Sequence, residues 1–470
     1  MENENEDKHL KRELGLLDGT MLVVGSMIGS GIFIVSAGMT QNIGSAGWLI
    51  LIWLISGLMT VIAAVSYGEL SAMFPKAGGQ YVYLKESYNK LIAFLYGWSF
   101  FAVIQTGTIA AVGVAFAKFT AYLYPPFSDE NILWEIGSFK LNAAQLVSIV
   151  TIIILTYINS KGVKNGKYIQ TIFTITKIAS LFGLIIFGFI LGAKAEIWDA
   201  NWTDAWNARS FSKETGEWTA IGGTVLFSAI AASMVGSLFS SDAWNGVTFI
   251  SGEIKNPKRN VGLSLFLGTL IVTVIYILTN IMYVAVLPME SIAFAPAERV
   301  AIEASHPIFG ATGTYIIAIM IMISTFGCNN GLILAGARVY YTMAKDGLFF
   351  KKAAGLNKAS VPGWGLWFQC IWASALCLTG KYGDLLDYVM IIVVIFYILT
   401  IYGIFILRKK MPDAERPYKA FGYPVLPIIY ILLAAAFCIS LLIDRTSTCG
   451  WGVVIMLLGI PVYYLTKPKE

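Results

Sequence analysis

Two short stretches of this 470-residue chain place polar chemistry inside otherwise apolar sequence. The first reads Gly25-Ser26-Met27-Ile28-Gly29-Ser30-Gly31-Ile32-Phe33, the second Ser237-Leu238-Phe239-Ser240-Ser241-Asp242-Ala243-Trp244-Asn245-Gly246. Glycines at 25, 29 and 31 remove side-chain bulk and tolerate φ > 0, so a helix unwinds there more cheaply than in most apolar runs. Unwound backbone in hydrocarbon costs several kcal/mol per unpaired group and persists only where it lines a polar cavity or binds something. The N-terminus of a half-helix offers N–H groups and a positive dipole end to a carboxylate, and the C-terminal carbonyls of the other half suit an ammonium. Two opposed breaks can therefore hold a zwitterion such as an α-amino acid. A second reading needs no ligand: Gly25 and Gly29 also have the spacing of close helix packing. The polar run Ser240-Ser241-Asp242 is not explained that way.

Lys177 is the third candidate. It lies nine residues past the start of an apolar segment near Tyr168, about 14 Å along a helix and close to a bilayer midplane. A lysine that deep is expected to face the protein interior with carbonyl or hydroxyl partners. Its ammonium then either replaces a bound cation, ties helices together, or takes part in proton coupling. Asp242 also has two readings, a contact for a cationic substrate or coupling proton and a cap on the half-helix that follows. Glu69, Glu253 and Arg338 fall near segment ends and read as gate or loop salt bridges, while Trp244 and Asn245 stand beside the second break as pocket-lining candidates.

The elements that must carry these residues follow from composition. The chain is 57% hydrophobic and 13% charged, with mean hydropathy +0.70, about half the charged share of a soluble domain. Apolar segments long enough to cross a bilayer recur at 15–40, 48–72, 88–122, 142–160, 168–193, 220–252, 261–287, 308–343, 362–380, 384–407, 421–443 and 450–466. The expected fold is an all-α, twelve-span membrane protein. Most of the 33 Lys and Arg residues fall in the tails and in alternate loops, which places both termini in the cytoplasm by the positive-inside rule. Spans two and seven, three and eight, and five and ten keep a nearly constant offset. That offset reads as a five-plus-five inverted repeat with interrupted spans one and six. The expected divisions are a tail at 1–13, a first repeat at 14–193, an outer loop at 194–219, a second repeat at 220–407, a loop at 408–420, two further spans at 421–466 and a tail at 467–470. The charged start of the chain lacks the apolar core of a cleavable signal peptide, so segment one is expected to be retained. Cys328, Cys370, Cys377, Cys438 and Cys449 show no metal-ligand spacing. No histidine lies in a span and no Walker A pattern or nucleic-acid motif occurs, so neither an enzyme, a cofactor, a metal site, an ATP-driven pump nor a nucleic-acid partner is expected.

The segments GSMIGSGIF, YGELSAMFPKAGGQYVYLKE, FSSDAWNGVTFISGEIKNPKRN and GARVYYTMAKDG, in that order, resemble the amino acid–polyamine–organocation superfamily, and within it the L-type amino acid transporter family. The resemblance runs over almost the whole chain and implies the twelve-span inverted-repeat fold. It also implies a site in which N–H groups of Ser30 and Gly31 bind a substrate carboxylate. Carbonyls of Met27, Phe239, Ser240 and Asp242 take the ammonium, Asn245 lies nearby, and Phe239 gates from outside. Lys177 matches the lysine that stands where sodium-coupled relatives bind Na⁺, with Ser324 as its partner. Two positions depart from the pattern: Ser241 stands where an aromatic is common and Ala243 where a glycine is, which bears on substrate size. Eukaryotic relatives are tied to a glycoprotein by a disulfide from the loop between spans three and four; here Tyr124 to Lys140 contains no cysteine, so a stand-alone carrier in a bacterial inner membrane is expected.

The expected activity is sodium-independent exchange of neutral L-amino acids across the lipid bilayer. Two other readings stay open: a proton-coupled symporter or polyamine or cationic amino acid carrier, and a sensor that binds amino acids without transporting them.

Overall fold

The computed structural model describes residues 12–137, 139–212, 215–378 and 382–466, so the expected tails at 1–11 and 467–470 lie outside the described residues. The chain is a helical bundle, and eleven helices among the described residues are long and apolar enough to cross a membrane. It is a multi-pass membrane protein. The segment expected as the ninth span forms a helix of only 15 residues, Gly363–Cys377, short of the roughly 20 that a full crossing needs. That segment is why the structure supports eleven spans by length rather than twelve.

Helices α1 (Leu16–Met27) and α2 (Gly31–Ile43) replace the single first span. Next come α3 (Ala46–Met73), α4 (Gln80–Ser87), α5 (Lys90–Ser99) and α6 (Gln105–Leu123), the last two joined through a π-helical turn at Phe100–Ile104. Two helices, α7 (Ala143–Ser160) and α8 (Val163–Phe187), complete the first half. Connecting segments contribute the short α9 (Ala195–Thr203) and two hairpins, β1 (Ile132–Ile136) with β2 (Phe139–Asn142) and β3 (Arg209–Phe211) with β4 (Trp218–Ala220). The second half contains α10 (Gly223–Ser240), the four-residue α11 (Gly246–Phe249), α12 (Pro257–Val286), α13 (Met289–Ala293) and α14 (Val300–Lys345). Then come α15 (Gly363–Cys377), α16 (Tyr382–Lys410), α17 (Val425–Asp444) and α18 (Thr446–Thr466).

Local sequence sets many of the ends. The side chain of Asn142 accepts a hydrogen bond from the N–H of Gln145, and the side-chain oxygen of Gln145 accepts one from the N–H of Asn142, so α7 begins on a reciprocal cap. Pro257 opens α12, where a missing N–H costs nothing. Inside α14, Gly310 takes φ 68° three residues after Pro307, and the helix kinks there. Tertiary packing then decides neighbours. The α1 helix is surrounded by α8, α12 and α14, and α10 packs against α2, α3, α16 and α17. The two expected interruptions thus fall at the centre of the bundle, among buried partners rather than lipid.

Candidate functional site

At the first break the helix stops at Met27, Ile28 turns out of it with φ −72° and ψ 89°, and a new helix starts at Gly31. Ending a helix strands its last carbonyls, and three neighbours meet them here. The fully buried Lys177 of α8 donates from Nζ to the carbonyl of Gly25 at 2.7 Å and to that of Ile28 at 2.8 Å. Ser324 of α14 donates to the same Ile28 carbonyl at 3.2 Å and to that of Gly29 at 3.4 Å. The thiol of Cys328, one turn further along α14, donates to the carbonyl of Ser26 at 3.0 Å. Lys177 and Ser324 therefore meet by sharing an acceptor. Cys328 was not singled out from sequence, although its four-residue spacing from Ser324 places both on one helix face.

Of the two properties expected of the glycines, the lack of bulk is the one used. None of Gly25, Gly29 and Gly31 has a left-handed φ, so the break does not use their conformational freedom. It uses the space they leave. A Cβ on Gly31 would sit 2.0 Å from Oγ of Ser240 and 3.0 Å from its Cα, and one on Gly29 would sit 2.9 Å from Sγ of Cys328. The two breaks touch at Gly31 and Ser240.

The second break is made of other residues. After Ser240 the chain makes a tight turn in which the N–H of Asp242 donates to the carbonyl of Phe239 at 3.1 Å. Ala243 then adopts φ 63°, a left-handed conformation that costs a residue with a Cβ roughly 1 kcal/mol. The buried carboxylate of Asp242 accepts a hydrogen bond from the hydroxyl of Tyr397 on α16 at 2.5 Å. Capping does not describe Asp242, because Asn245 is the residue that precedes α11. The side-chain amide of Asn245 donates to Gln80 of α4 at 3.1 Å, and Gln80 donates in turn to Thr400 of α16 at 3.0 Å.

A tyrosine that the sequence did not flag joins the breaks. The hydroxyl of Tyr276 on α12 lies 2.9 Å from the carbonyl of Met27 and 3.1 Å from that of Ser240. Of the four carbonyls expected to take an ammonium, Met27 and Ser240 thus face a neutral donor and Phe239 faces a backbone N–H. Phe239 itself is buried, 7% exposed. A cavity of about 20 Å³ beside the second break is lined by Asp242, Ala243, Asn245, Tyr96, Gln105 and Tyr397, among others. A second cavity of about 140 Å³ lies between α2 and α10. On its wall Arg445 donates to both carboxylate oxygens of Asp387 at 2.7 Å. Toward the other end of the bundle Arg338 pairs with Glu253 at 3.1 Å, both buried, and Arg408 pairs with Glu69 at 2.7 Å. The three charges expected to form gate or loop salt bridges are all paired.

Comparison with known proteins agrees with this architecture. The amino acid permease family model matches residues 14–462. The large neutral amino acids transporter small subunit 2 of Mus musculus is 30% identical over 469 residues, covering 98% of this chain and 83% of that protein. The serine/threonine exchanger SteT of Bacillus subtilis (strain 168) is 30% identical over 470 residues, with 99% of each chain covered. The Asc-type amino acid transporter 1 of Mus musculus is 27% identical over 467 residues. A family match that spans nearly the whole chain, on a bundle whose two interrupted helices meet at its centre, assigns this protein to the amino acid permease family.

Proposed function

We propose that this permease exchanges neutral L-amino acids by alternating access, without sodium, with the substrate held between the two interrupted helices. The observation that carries the reading is the direct meeting of the breaks at Gly31 and Ser240. There the N-terminus of α2 presents its first N–H groups, those of Ser30 and Gly31, to a carboxylate. The carbonyls of Met27, Phe239, Ser240 and Asp242 supply the ammonium side; each carbonyl has two lone pairs, so an existing donor does not exhaust it. Phe239 serves as the outer gate. Relatives named as neutral amino acid transporters and as a serine/threonine exchanger support the substrate class.

Sodium independence rests on Lys177. Its ammonium donates to two carbonyls of the first break, with Ser324 on one of them, which puts a positive charge among oxygen acceptors of the kind that would otherwise coordinate a bound Na⁺. Twelve spans, the first ten as two inverted five-helix repeats with short α15 counted as the ninth crossing, both termini cytoplasmic and a bacterial inner-membrane location complete the proposal. So does a stand-alone chain: the free cysteines are all buried, leaving none placed for a bridge to a second subunit.

The test is counterflow in proteoliposomes. Preloaded neutral amino acid should drive uptake of labelled substrate equally in sodium and choline buffers. Uptake that needs an imposed sodium gradient sinks the Lys177 reading, and binding without any counterflow sinks transport. One observation favours a second reading. The buried carboxylate of Asp242 borders a small cavity of mixed lining and has the Tyr397 hydroxyl as partner, which suits a cationic substrate or a coupling proton. Competition by lysine or arginine, or uptake driven by a pH gradient alone, would select it.

A further inference from the structure

At the basic end of the bundle, away from the breaks, a cavity of about 820 Å³ opens between α12, α3 and the segment that joins α16 to α17. Its size falls within the range of pockets that hold drug-sized ligands. The wall is of two kinds. Lys258 and Arg259, in the first turn of α12, supply the charge, and Leu263, Phe266, Tyr418 and Phe421 supply apolar surface. Lys258 pairs at 2.9 Å with Glu415, an exposed contact. Among the described residues Arg259 is exposed and has no carboxylate partner. Asn256, which precedes the helix, sits at φ 46° and makes no side-chain cap.

The apolar part of the wall continues into lipid-facing surface. Along α12 the exposed side chains Phe266, Leu267, Leu270, Ile271 and Val274 form one stripe, spaced as one face of a helix. On α3 Leu54 and Leu58 are exposed on the face that ends at Val65 in the cavity wall. On α17, Val425, Ile428, Ile429 and Leu432 are exposed beyond Phe421, which is itself 73% exposed. Three lipid-facing stripes thus converge on a hollow rimmed by a guanidinium and an ammonium.

We infer that this cavity is a binding site for one anionic glycerophospholipid, its phosphodiester on Arg259 and Lys258 and its acyl chains along the stripes of α12 and α17. A soluble anion would use the charged rim and leave the apolar wall bare; a neutral lipid would leave Arg259 without a counter-charge. An anionic lipid matches both, and a juxtamembrane arginine near an anionic lipid surface is worth about 1 kcal/mol, or about fivefold in affinity.

Native mass spectrometry of the delipidated full-length protein, titrated with phosphatidylglycerol or phosphatidylcholine, tests this. The expected result is one saturable phosphatidylglycerol adduct, bound several-fold more tightly than phosphatidylcholine and insensitive to millimolar inorganic phosphate. Arg259→Gln should weaken it about fivefold and leave phosphatidylcholine unchanged. Lys351→Gln, at an exposed lysine of another loop, should change neither. Equal binding of the two lipids, displacement by phosphate, an unchanged Arg259→Gln, or an equal loss in Lys351→Gln would each overturn the assignment.

Discussion

The two breaks do the same job with different materials. At the first, glycines bring backbones together and the released carbonyls are met by an ammonium, a hydroxyl and a thiol from α8 and α14. At the second, an alanine stands in a left-handed conformation, a carboxylate meets a tyrosine hydroxyl, and an asparagine amide meets a glutamine. Tyr276 spans both. At each break several carbonyls and polar side chains are therefore paired before any ligand arrives. If the substrate ammonium displaces Tyr276 rather than sharing its carbonyls, binding is an exchange of partners, and its strength depends on how easily the resident donor gives way.

Gly31→Val should have the largest effect. Its Cβ would overlap Ser240, backbone included, an overpacking worth about 3 kcal/mol or more, and it would cover the N–H proposed to bind the carboxylate. Substrate binding should fall by at least about a hundredfold in protein that still inserts. In Gly31→Ala, the second change Ser240→Gly should restore part of the loss, because it removes the Oγ and Cβ that clash. Gly29→Ala meets only a thiol and should be much milder. Near-normal affinity in purified Gly31→Val would falsify the contact as part of the site.

Lys177→Ala comes next. It takes the Lys177 donor from the Gly25 carbonyl and leaves the Ile28 carbonyl with Ser324 alone, at about 1–3 kcal/mol for a buried group left unmet. If the ammonium stands for a cation that sets the position of the first break, turnover per folded molecule should drop about tenfold or more while substrate affinity changes little. Normal turnover with lower folded yield would make Lys177 a brace and nothing more. Transport rate and affinity measured per folded molecule in sodium-free buffer separate the two.

Tyr276→Phe probes the exchange of partners. Removing the hydroxyl strips a donor from the unliganded protein but not from a complex in which the substrate ammonium has replaced it. Affinity should rise about fivefold and the thermal stability of the unliganded form should fall. Weaker binding would instead make Tyr276 a permanent ligand. Ala243→Gly should have the smallest effect. Relief at φ 63° is offset by the greater freedom of glycine in the unfolded chain, so the net stabilisation should be less than about 1 kcal/mol. Ala243→Val, with a branched side chain in that conformation, should be clearly less stable than wild type in a thermal-shift assay.

Much of the site was legible because its residues break the apolar pattern around them. A lysine in TITKIASLFG and a Ser-Ser-Asp run inside a span each announce a buried polar partner, and glycine spacing announced close approach. Tyr276, Tyr397 and Cys328 were not legible, since aromatic residues and cysteine are ordinary occupants of a buried span. Which of their two properties the glycines use was not legible for a related reason. Glycine signals either an unusual angle or a close contact, and only the neighbouring Ser240 tells which.

The sequence by itself determined that the chain lies in a bilayer, where two of its spans are interrupted and which deep charge must be satisfied. These follow from local composition and from the cost of unpaired polar groups in hydrocarbon. Which carbonyl meets which donor was decided only by tertiary structure. Residues 25 and 177, 27 and 276, 31 and 240, and 242 and 397 come from helices far apart in sequence. Their pairing depends on the rotation and depth at which packed helices settle against each other, and no periodicity within one helix encodes that.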